Sequence, residues 1–457
     1  MRLLFNSLIA CVLLSALLAC SAEKPNKSNT SGMDWSTPDI PNLSVLSIPQ
    51  LRKRQFGSEF VKLKAIPNNS SGYSSFMLSY LSDGLLNYAR IDIPHASAPI
   101  QGYPVLLYSH GWVGIDNAPS FNFFLDQKGS QAKYIDALAK QGYVVITPGW
   151  RGHGTVNNVP AQGIEFMQLW DNASYLSPLF YAIDMLNALD SLDSLNTIEF
   201  EQTALHINVN KIMLAAHSQG GDNALTMLAI AGEQSSVKHN IASASIFAGC
   251  FLPRLVQGGF YGAMATSHEA FMSGDGTWTK SAMGANGEIN PNFLFAYPPD
   301  WITTVNQSEW SWQNETWSVN SVKQAYTNKY DQMYDVLKAN NLSSSQYRLN
   351  TDSSGKVSVE HPQYIQDAYA KLDAINYPQF LSEALVLHYS DRDYYSPPVW
   401  NEHLKQLLVK ANSKVASFEY PGNTHSLTIS QHKWFSENFD EAGIDKMIAR
   451  DLNWFSE

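Results

Sequence analysis

Cysteine is almost missing from this chain: the 457 residues contain only Cys11, Cys20 and Cys250. Two of the three lie within the first 20 positions, so no disulfide framework can brace the rest, and stability has to come from a packed core. Basic residues are also in deficit. There are 30 Lys and Arg against 41 Asp and Glu, a formal net charge of -11, and phosphate backbones need clustered cations, so nucleic acid is excluded as a partner class. His388, His403 and His432 have no companions at metal-ligand spacing, and nothing calls for a metal or an organic cofactor. No internal repeat is present. No apolar run has the ~20 residues needed to span a bilayer as a mature helix.

What is present begins at the N-terminus. Arg2 precedes the mostly apolar stretch Leu8 to Ala19, too short for a transmembrane helix and suited to the core of a signal peptide, which assigns residues 1–19 to a leader. The stretch ends in Leu17-Leu18-Ala19-Cys20. That ending resembles the lipobox of bacterial lipoproteins, and the resemblance implies that Cys20 carries lipid, becomes the mature N-terminus and anchors the chain to a membrane of the bacterial cell envelope. Ser21, where an Asp would retain the protein, implies the outer membrane. Residues 20–45 then form a tether, polar and Ser/Asn-rich from Glu23 to Asp34. Cys250 ends an apolar run and reads as a small buried hydrophobe, not a catalytic thiol.

Beyond the tether the length is ample for one large domain with an elaboration, or for two domains. Phe76 to Leu81 and Leu85 to Ile93 flank the turn Ser82-Asp83-Gly84 and predict an antiparallel hairpin. Tyr103 to Tyr108, Tyr143 to Thr147, Lys211 to Ala216 and Ala242 to Gly249 are apolar runs of strand length, of the kind buried on both faces. Helical patterns lie between them, at Tyr134 to Gln141, Leu179 to Leu195 and Asp222 to Gly232. The alternation predicts an α/β fold with a mostly parallel sheet and right-handed crossovers. Residues 46–250 form the first part of that core. From 251 to 380 the rhythm breaks into Asn, Ser and aromatics, with Trp278, Trp301, Trp310, Trp312 and Trp317 in succession, and is read as an inserted, largely helical cap. Residues 381–457 resume it: Ala384 to Tyr389 as strand, Val399 to Asn412 as helix, Val415 to Tyr420 as strand and Trp434 to Phe455 as a closing helix.

Within this frame the turn Ala216-His217-Ser218-Gln219-Gly220 joins a strand to a helix and departs by one residue from the G-x-S-x-G nucleophile elbow. A serine hydroxyl needs a base, and the base needs an orienting acid. Both are available at C-terminal strand ends after the insert, the edge where open α/β sheets place their sites. His425 follows the strand ending at Tyr420, and Asp393 and Asp391 follow the strand ending at Tyr389.

Together Ser82-Asp83-Gly84, Pro104 to Gly111, Arg151-Gly152-His153-Gly154, His217 to Gly221, Asp393-x-x-x-Pro397 and Gly422-x-x-His425 resemble the α/β-hydrolase superfamily. Within it they are most similar to stand-alone relatives of the prolyl oligopeptidase catalytic domain and to dienelactone-hydrolase-like esterases. The resemblance covers about Phe56 to Gly249 and Glu383 onward, and none of the insert. It implies Ser218 as nucleophile, His425 as base and Asp393 as the acid, with Asp391 as the alternative; Asp393 has the spacing to Pro397. It also implies an oxyanion hole from the backbone N–H groups of Gln219 and Trp112. His110, His153 and His217 read as residues that shape their loops.

The activity expected is hydrolysis of a carboxylic ester through an acyl-enzyme. The alternative is a prolyl oligopeptidase-type serine peptidase acting on small peptides or acylated amino acids, and a third reading is a surface-binding lipoprotein without catalysis. No N-terminal propeller and no recognisable acidic clamp for an amino terminus are present, which favours the ester. The presence of all three triad residues argues against the third reading.

Overall fold

The apolar runs read as strands become neighbours in one nine-stranded sheet. The computed structural model describes residues 43–67, 72–124, 129–167, 176–201, 203–251, 254, 257, 349–351, 357–359, 369–390, 393, 395–396, 398–411, 413–421, 423–428 and 443–456. The leader, Cys20, nearly all of the tether, Asp391 and most of the 251–380 insert lie outside them. Strands β1 to β9 are Val61–Ile66, Tyr73–Ser82, Leu85–Pro94, Tyr103–Ser109, Val144–Pro148, Ile207–His217, Ser243–Phe247, Ala384–Ser390 and Val415–Tyr420. Helices α1 to α5 are Ser130–Lys140, Ser177–Asp190, Gln219–Ala231, Pro398–Lys410 and Gly443–Trp454.

The spatial order is β1-β2-β3-β5-β4-β6-β7-β8-β9. From β5 to β9 every pairing is parallel, whereas β1, β2 and β3 are joined antiparallel. This is the α/β-hydrolase arrangement: a mostly parallel sheet with helices on both faces and an antiparallel N-terminal edge. Strand periodicity divides the core in two. In β6, Ile212, Leu214 and Ala216 pack with residues of α2, α3 and α4, while Met213 and Ala215 pack with those of α1 and α5. Because both faces are covered, the strand reads in sequence as an unbroken apolar run and not as an alternation.

Turn chemistry fixes the hairpin register. Asp83 and Gly84 have φ of 53° and 82°, the two left-handed positions of the tight turn that matches strand twist. The antiparallel edge also holds β1, which the sequence reading did not separate from its surroundings. Its register slips between Lys62 and Lys64, and most of its residues are exposed, as in an edge strand that lysines and a bulge protect from further pairing. The expected helix from Leu179 to Leu195 stops at Asp190, and a separate short 3₁₀ turn spans Leu192–Thr197. In the insert, the described residues include an antiparallel pair, Leu349–Thr351 with Val357–Val359, and two 3₁₀ turns, Ala374–Asn376 and Pro378–Phe380; most of the residues expected to be helical fall outside the described ones. Among the described residues no helix is long and apolar enough to cross a membrane.

One buried acid gives the fold a pH dependence. Burial pushes the Glu383 carboxyl from 4.5 up to about 7, with hydrogen bonds from the Glu383 backbone and from Ser382, and last Arg52, offsetting only part of the effect. The folded protein therefore binds this proton more readily than the unfolded chain. Its contribution is present below about pH 4.5 and is lost as the pH rises through about 7. E383Q is expected to raise the unfolding free energy measured in urea at pH 8, by on the order of 2 kcal/mol, and to leave it nearly unchanged at pH 4. Equal shifts at both pH values would refute this account.

Candidate active site

Strand β6 ends at His217 and helix α3 starts at Gln219, so Ser218 alone makes the turn. Its φ of 57° and ψ of -126° are strained for a side-chain-bearing residue, at a cost of about 1–3 kcal/mol. Neighbouring backbone sustains the strain. The Ser218 N–H donates to the Phe247 carbonyl at 3.2 Å, and its carbonyl accepts from Gly221 N–H at 2.8 Å and Cys250 N–H at 3.3 Å. Gly220 allows the approach of α3 to β4, because a Cβ there would lie 2.3 Å from the carbonyl oxygens of Ser109 and His110. Ala216, where the elbow pattern has its first glycine, is fully buried in the sheet core without conflict.

The other two implied residues meet at the same sheet edge. His425 Nδ1 lies 2.9 and 2.8 Å from the two carboxylate oxygens of Asp393. Asp393 is fully buried, and its Oδ1 also accepts the N–H groups of Tyr395 and Ser396, each at 2.9 Å. A carboxylate so placed accepts, so Nδ1 donates and Nε2 keeps the lone pair a general base requires. Among the described residues Asp393 is the acid that reaches His425; Asp391 lies outside them. The Ser390 hydroxyl donates to the Asn423 carbonyl, and Asn423 Oδ1 accepts the Gly443 N–H at 2.7 Å. The acid-bearing strand end, the His425 loop and α5 are thereby tied together.

His217 joins this pair to the elbow. Its Nε2 donates to the His425 carbonyl at 3.1 Å, and the two rings are 4.8 Å apart. Burial first, and His425 second, hold the His217 imidazole well below its ordinary value, so it stays neutral. Because Ser218 directly follows His217, this bond ties the serine's turn to the His425 loop.

The loop after β4 flanks the serine from the other side. A Cβ on Gly111 would lie 3.4 Å from Ser218 Cβ, and the next residue, Trp112, leaves 65% of its surface exposed. Gln219 opens α3, so its N–H has no acceptor within the helix and sits at the positive end of the helix dipole. Gln219 thus adjoins Ser218 in the chain, and Gly111, the residue before Trp112, borders it in space. His110 and His153 are fully buried. Burial, helped by His153, keeps His110 well below its ordinary value, and burial brings His153 down to about 4. His110 is stacked between Phe121 and Trp150 at 4.3 and 3.7 Å, which makes it a loop-shaping residue, as the sequence suggested.

Some buried groups around the site were not anticipated. Arg254 Nη1 and Nη2 donate to Asp222 at 3.1 and 3.2 Å, and its backbone N–H donates to Asp373 at 3.0 Å. Residues from the two ends of the insert are thus fastened to the helix that follows Ser218. Asp222 near the start of a helix buried along its whole length was the available signal, since a buried carboxylate needs a partner. Below the sheet, Asp451 of α5 accepts from Tyr134 and Ser245 at 2.8 and 2.6 Å and pairs with His388 Nε2 at 2.8 Å. Cys250 is buried, 3% exposed, as expected of a small hydrophobe. Among the described residues no group of His, Cys, Asp and Glu could hold a metal ion.

No protein-family model matches the chain, and no curated protein sequence does. Among solved structures it is similar to the acylaminoacyl peptidase of Pyrococcus horikoshii, at 11% identity and a TM-score of 0.45 over 84% of this chain and 42% of that one. It is similar to Porphyromonas gingivalis dipeptidyl peptidase 4, at 11% identity and a TM-score of 0.42 over 87% of this chain and 43% of that one. The third likeness is to acetyl xylan esterase 1 of a Thermoanaerobacterium species, at 12% identity and a TM-score of 0.42 over 85% of this chain and 86% of that one. The chain spans about two fifths of the length of the two peptidases. With TM-scores below 0.5 these are likenesses only, and the fold assignment rests on the strand order of the sheet itself.

Proposed function

We propose that the protein is a serine hydrolase that cleaves a carboxylic ester through an acyl-enzyme. The observation that carries this reading is the Asp393–His425 pair at 2.8 Å, placed at the sheet edge where the strained Ser218 turn emerges. Ser218 Oγ attacks the ester carbonyl as His425 Nε2 takes its proton. Asp393 holds the imidazole with Nδ1 protonated and stabilises the imidazolium that forms. The N–H groups of Gln219 and Trp112 donate to the tetrahedral oxyanion, each worth roughly 3–4 kcal/mol in comparable sites. His425 then protonates the leaving alcohol. Water, deprotonated by the same imidazole, releases the acid.

A fluorophosphonate probe that labels wild type but not Ser218→Ala is the direct test, and an unlabelled folded wild type would overturn the proposal. A p-nitrophenyl ester series set against aminoacyl and dipeptidyl p-nitroanilides decides between ester and peptide. The ester preference rests on the missing acidic clamp in the sequence, so brisk anilide turnover would replace it with the peptidase reading.

The lipobox-like Leu17 to Cys20 supports anchoring in the bacterial cell envelope, at the outer membrane. Expressed in a Gram-negative host, the wild type is expected in the membrane fraction, labelled by radioactive palmitate. Cys20→Ser is expected to lose the label. Equal labelling of the two would remove Cys20 as the attachment point.

A further inference from the structure

Both peptide planes flanking Gly111 are held by side chains. The Gly111 N–H donates to Gln131 Oε1 at 3.0 Å, and the Tyr108 hydroxyl donates to that same oxygen at 3.1 Å. Two donors on one oxygen fix the orientation of the Gln131 amide. The Gly111 carbonyl accepts from His110 Nδ1 at 2.8 Å. A trans peptide points its C=O and N–H to opposite sides, and no cis bond occurs among the described residues. Holding the Gly111 carbonyl on His110 therefore turns the Trp112 N–H away from His110, and holding the Gly111 N–H on Gln131 stops the preceding plane from rotating.

Restraint is needed here because Gly111 cannot supply it. A Cβ at this position would lie 2.9 Å from His217 Nδ1 as well as 3.4 Å from Ser218 Cβ, so the site favours glycine, whose planes rotate most freely. His110 restrains the loop from within. Gln131 restrains it from outside, since it sits in the first turn of α1, twenty residues along the chain.

We propose that Gln131 is a positioning residue for the hydrolytic reaction: it occupies the Gly111 N–H and so fixes the loop with the Trp112 N–H, and not that of Gly111, offered to the oxyanion. The inference rests on the serine-hydrolase reading above. It assigns Gln131 no contact with substrate. Its loss should therefore lower transition-state stabilisation while leaving substrate binding alone.

The test compares wild type, Gln131→Leu, Gln131→Glu and Ser218→Ala in p-nitrophenyl ester hydrolysis, together with affinity for a trifluoromethyl ketone that forms a tetrahedral oxyanion adduct. For Q131L we expect kcat to fall about 10- to 100-fold, less than the ~10²–10³ for outright loss of a donor, with KM within about twofold. Ketone affinity should fall in step with kcat/KM. Q131E keeps the acceptor oxygen and should restore kcat to within several-fold of wild type; a merely space-filling role would not discriminate between leucine and glutamate in this way. If Q131L does not fold, Gln131→Met carries the same comparison. Turnover that depends on Ser218 but is unchanged in Q131L, or equally impaired in Q131L and Q131E, would overturn the positioning role alone. Wild-type turnover that survives in S218A would overturn the hydrolase reading on which it rests.

Discussion

Ser218→Ala is expected to lower ester turnover by about 10⁶-fold with no loss of fold. The large factor follows from removing the single atom that attacks, while the Asp393–His425 pair and the backbone donors stay in place. What remains is binding and oxyanion stabilisation, about 10³–10⁴ over water in comparable triads. Because the three groups act as one unit, adding His425→Ala to S218A should cost almost nothing more. Stability should respond differently from activity. Alanine inherits the same φ of 57°, so its unfolding midpoint should stay close to that of wild type. Glycine tolerates that conformation, and Ser218→Gly should be more stable by about 1 kcal/mol while equally inactive. Active-site titration with ester turnover, alongside urea unfolding of the three proteins, checks both halves. An S218A that keeps more than a few per cent of turnover would move the nucleophile elsewhere, and an S218G no more stable than S218A would mean the elbow is not strained.

Much of this site could be read from the sequence because parallel-sheet chemistry is local in its signals. A strand buried on both faces is an unbroken apolar run, as at Val144 to Thr147, and a nucleophile elbow needs small residues at fixed offsets, as at Gly220. Asp393 was identifiable because it follows such a strand, Ala384–Ser390, and His425 because it follows the next strand-length run, Val415–Tyr420, at the sheet's edge. Less could be read where the cause is long-range. Strand β1 alternates Val61, Leu63 and Ala65 with lysines, but Val61 and Ala65 are exposed at the sheet edge, so the pattern marks no buried face. The separation of α2 from the 3₁₀ turn at Leu192 depends on backbone pairing near Ser191 and not on periodicity. The hydrogen bonds of Gln131, and those between Arg254 and Asp222, connect residues 20 and 32 apart in sequence, distances at which no spacing rule operates. The turn Ser82-Asp83-Gly84 and the loop Arg151 to Gly154 were each singled out alone. That they form one ionic cluster was not evident until the hairpin and α2 were brought together.

That cluster carries the largest stability effect expected in the fold. Asp184→Ala should destabilise the protein by about 3–5 kcal/mol, because it leaves a buried cation short of its partner. Arg151 donates to Asp184 through its backbone N–H at 2.8 Å, through Nε at 3.0 Å and through Nη2 at 2.7 Å, and both side chains are wholly buried. Burial alone would pull the guanidinium down, yet Asp184 and Asp83 hold it above its ordinary value. Ser82 Oγ also donates to Asp184, at 2.5 Å, and Arg54 pairs with the other oxygen of Asp83. Removing the Asp184 carboxylate strands the Arg151 backbone N–H and the Ser82 hydroxyl as well. Arg151→Met combined with Asp184→Leu should recover part of the loss, since an apolar pair avoids desolvating two charges, while the backbone N–H of residue 151 and the Ser82 hydroxyl still lack their acceptor. Arg151 follows Trp150, whose ring lies 3.7 Å from His110 and so supports the loop beside Ser218. Urea midpoints and ester kcat, measured on both variants, therefore separate two roles. Recovery of midpoint and kcat together would make the cluster a matter of stability, whereas recovery of the midpoint alone would show that the charges also set the loop, and a D184A unfolding free energy within about 1 kcal/mol of wild type would contradict both.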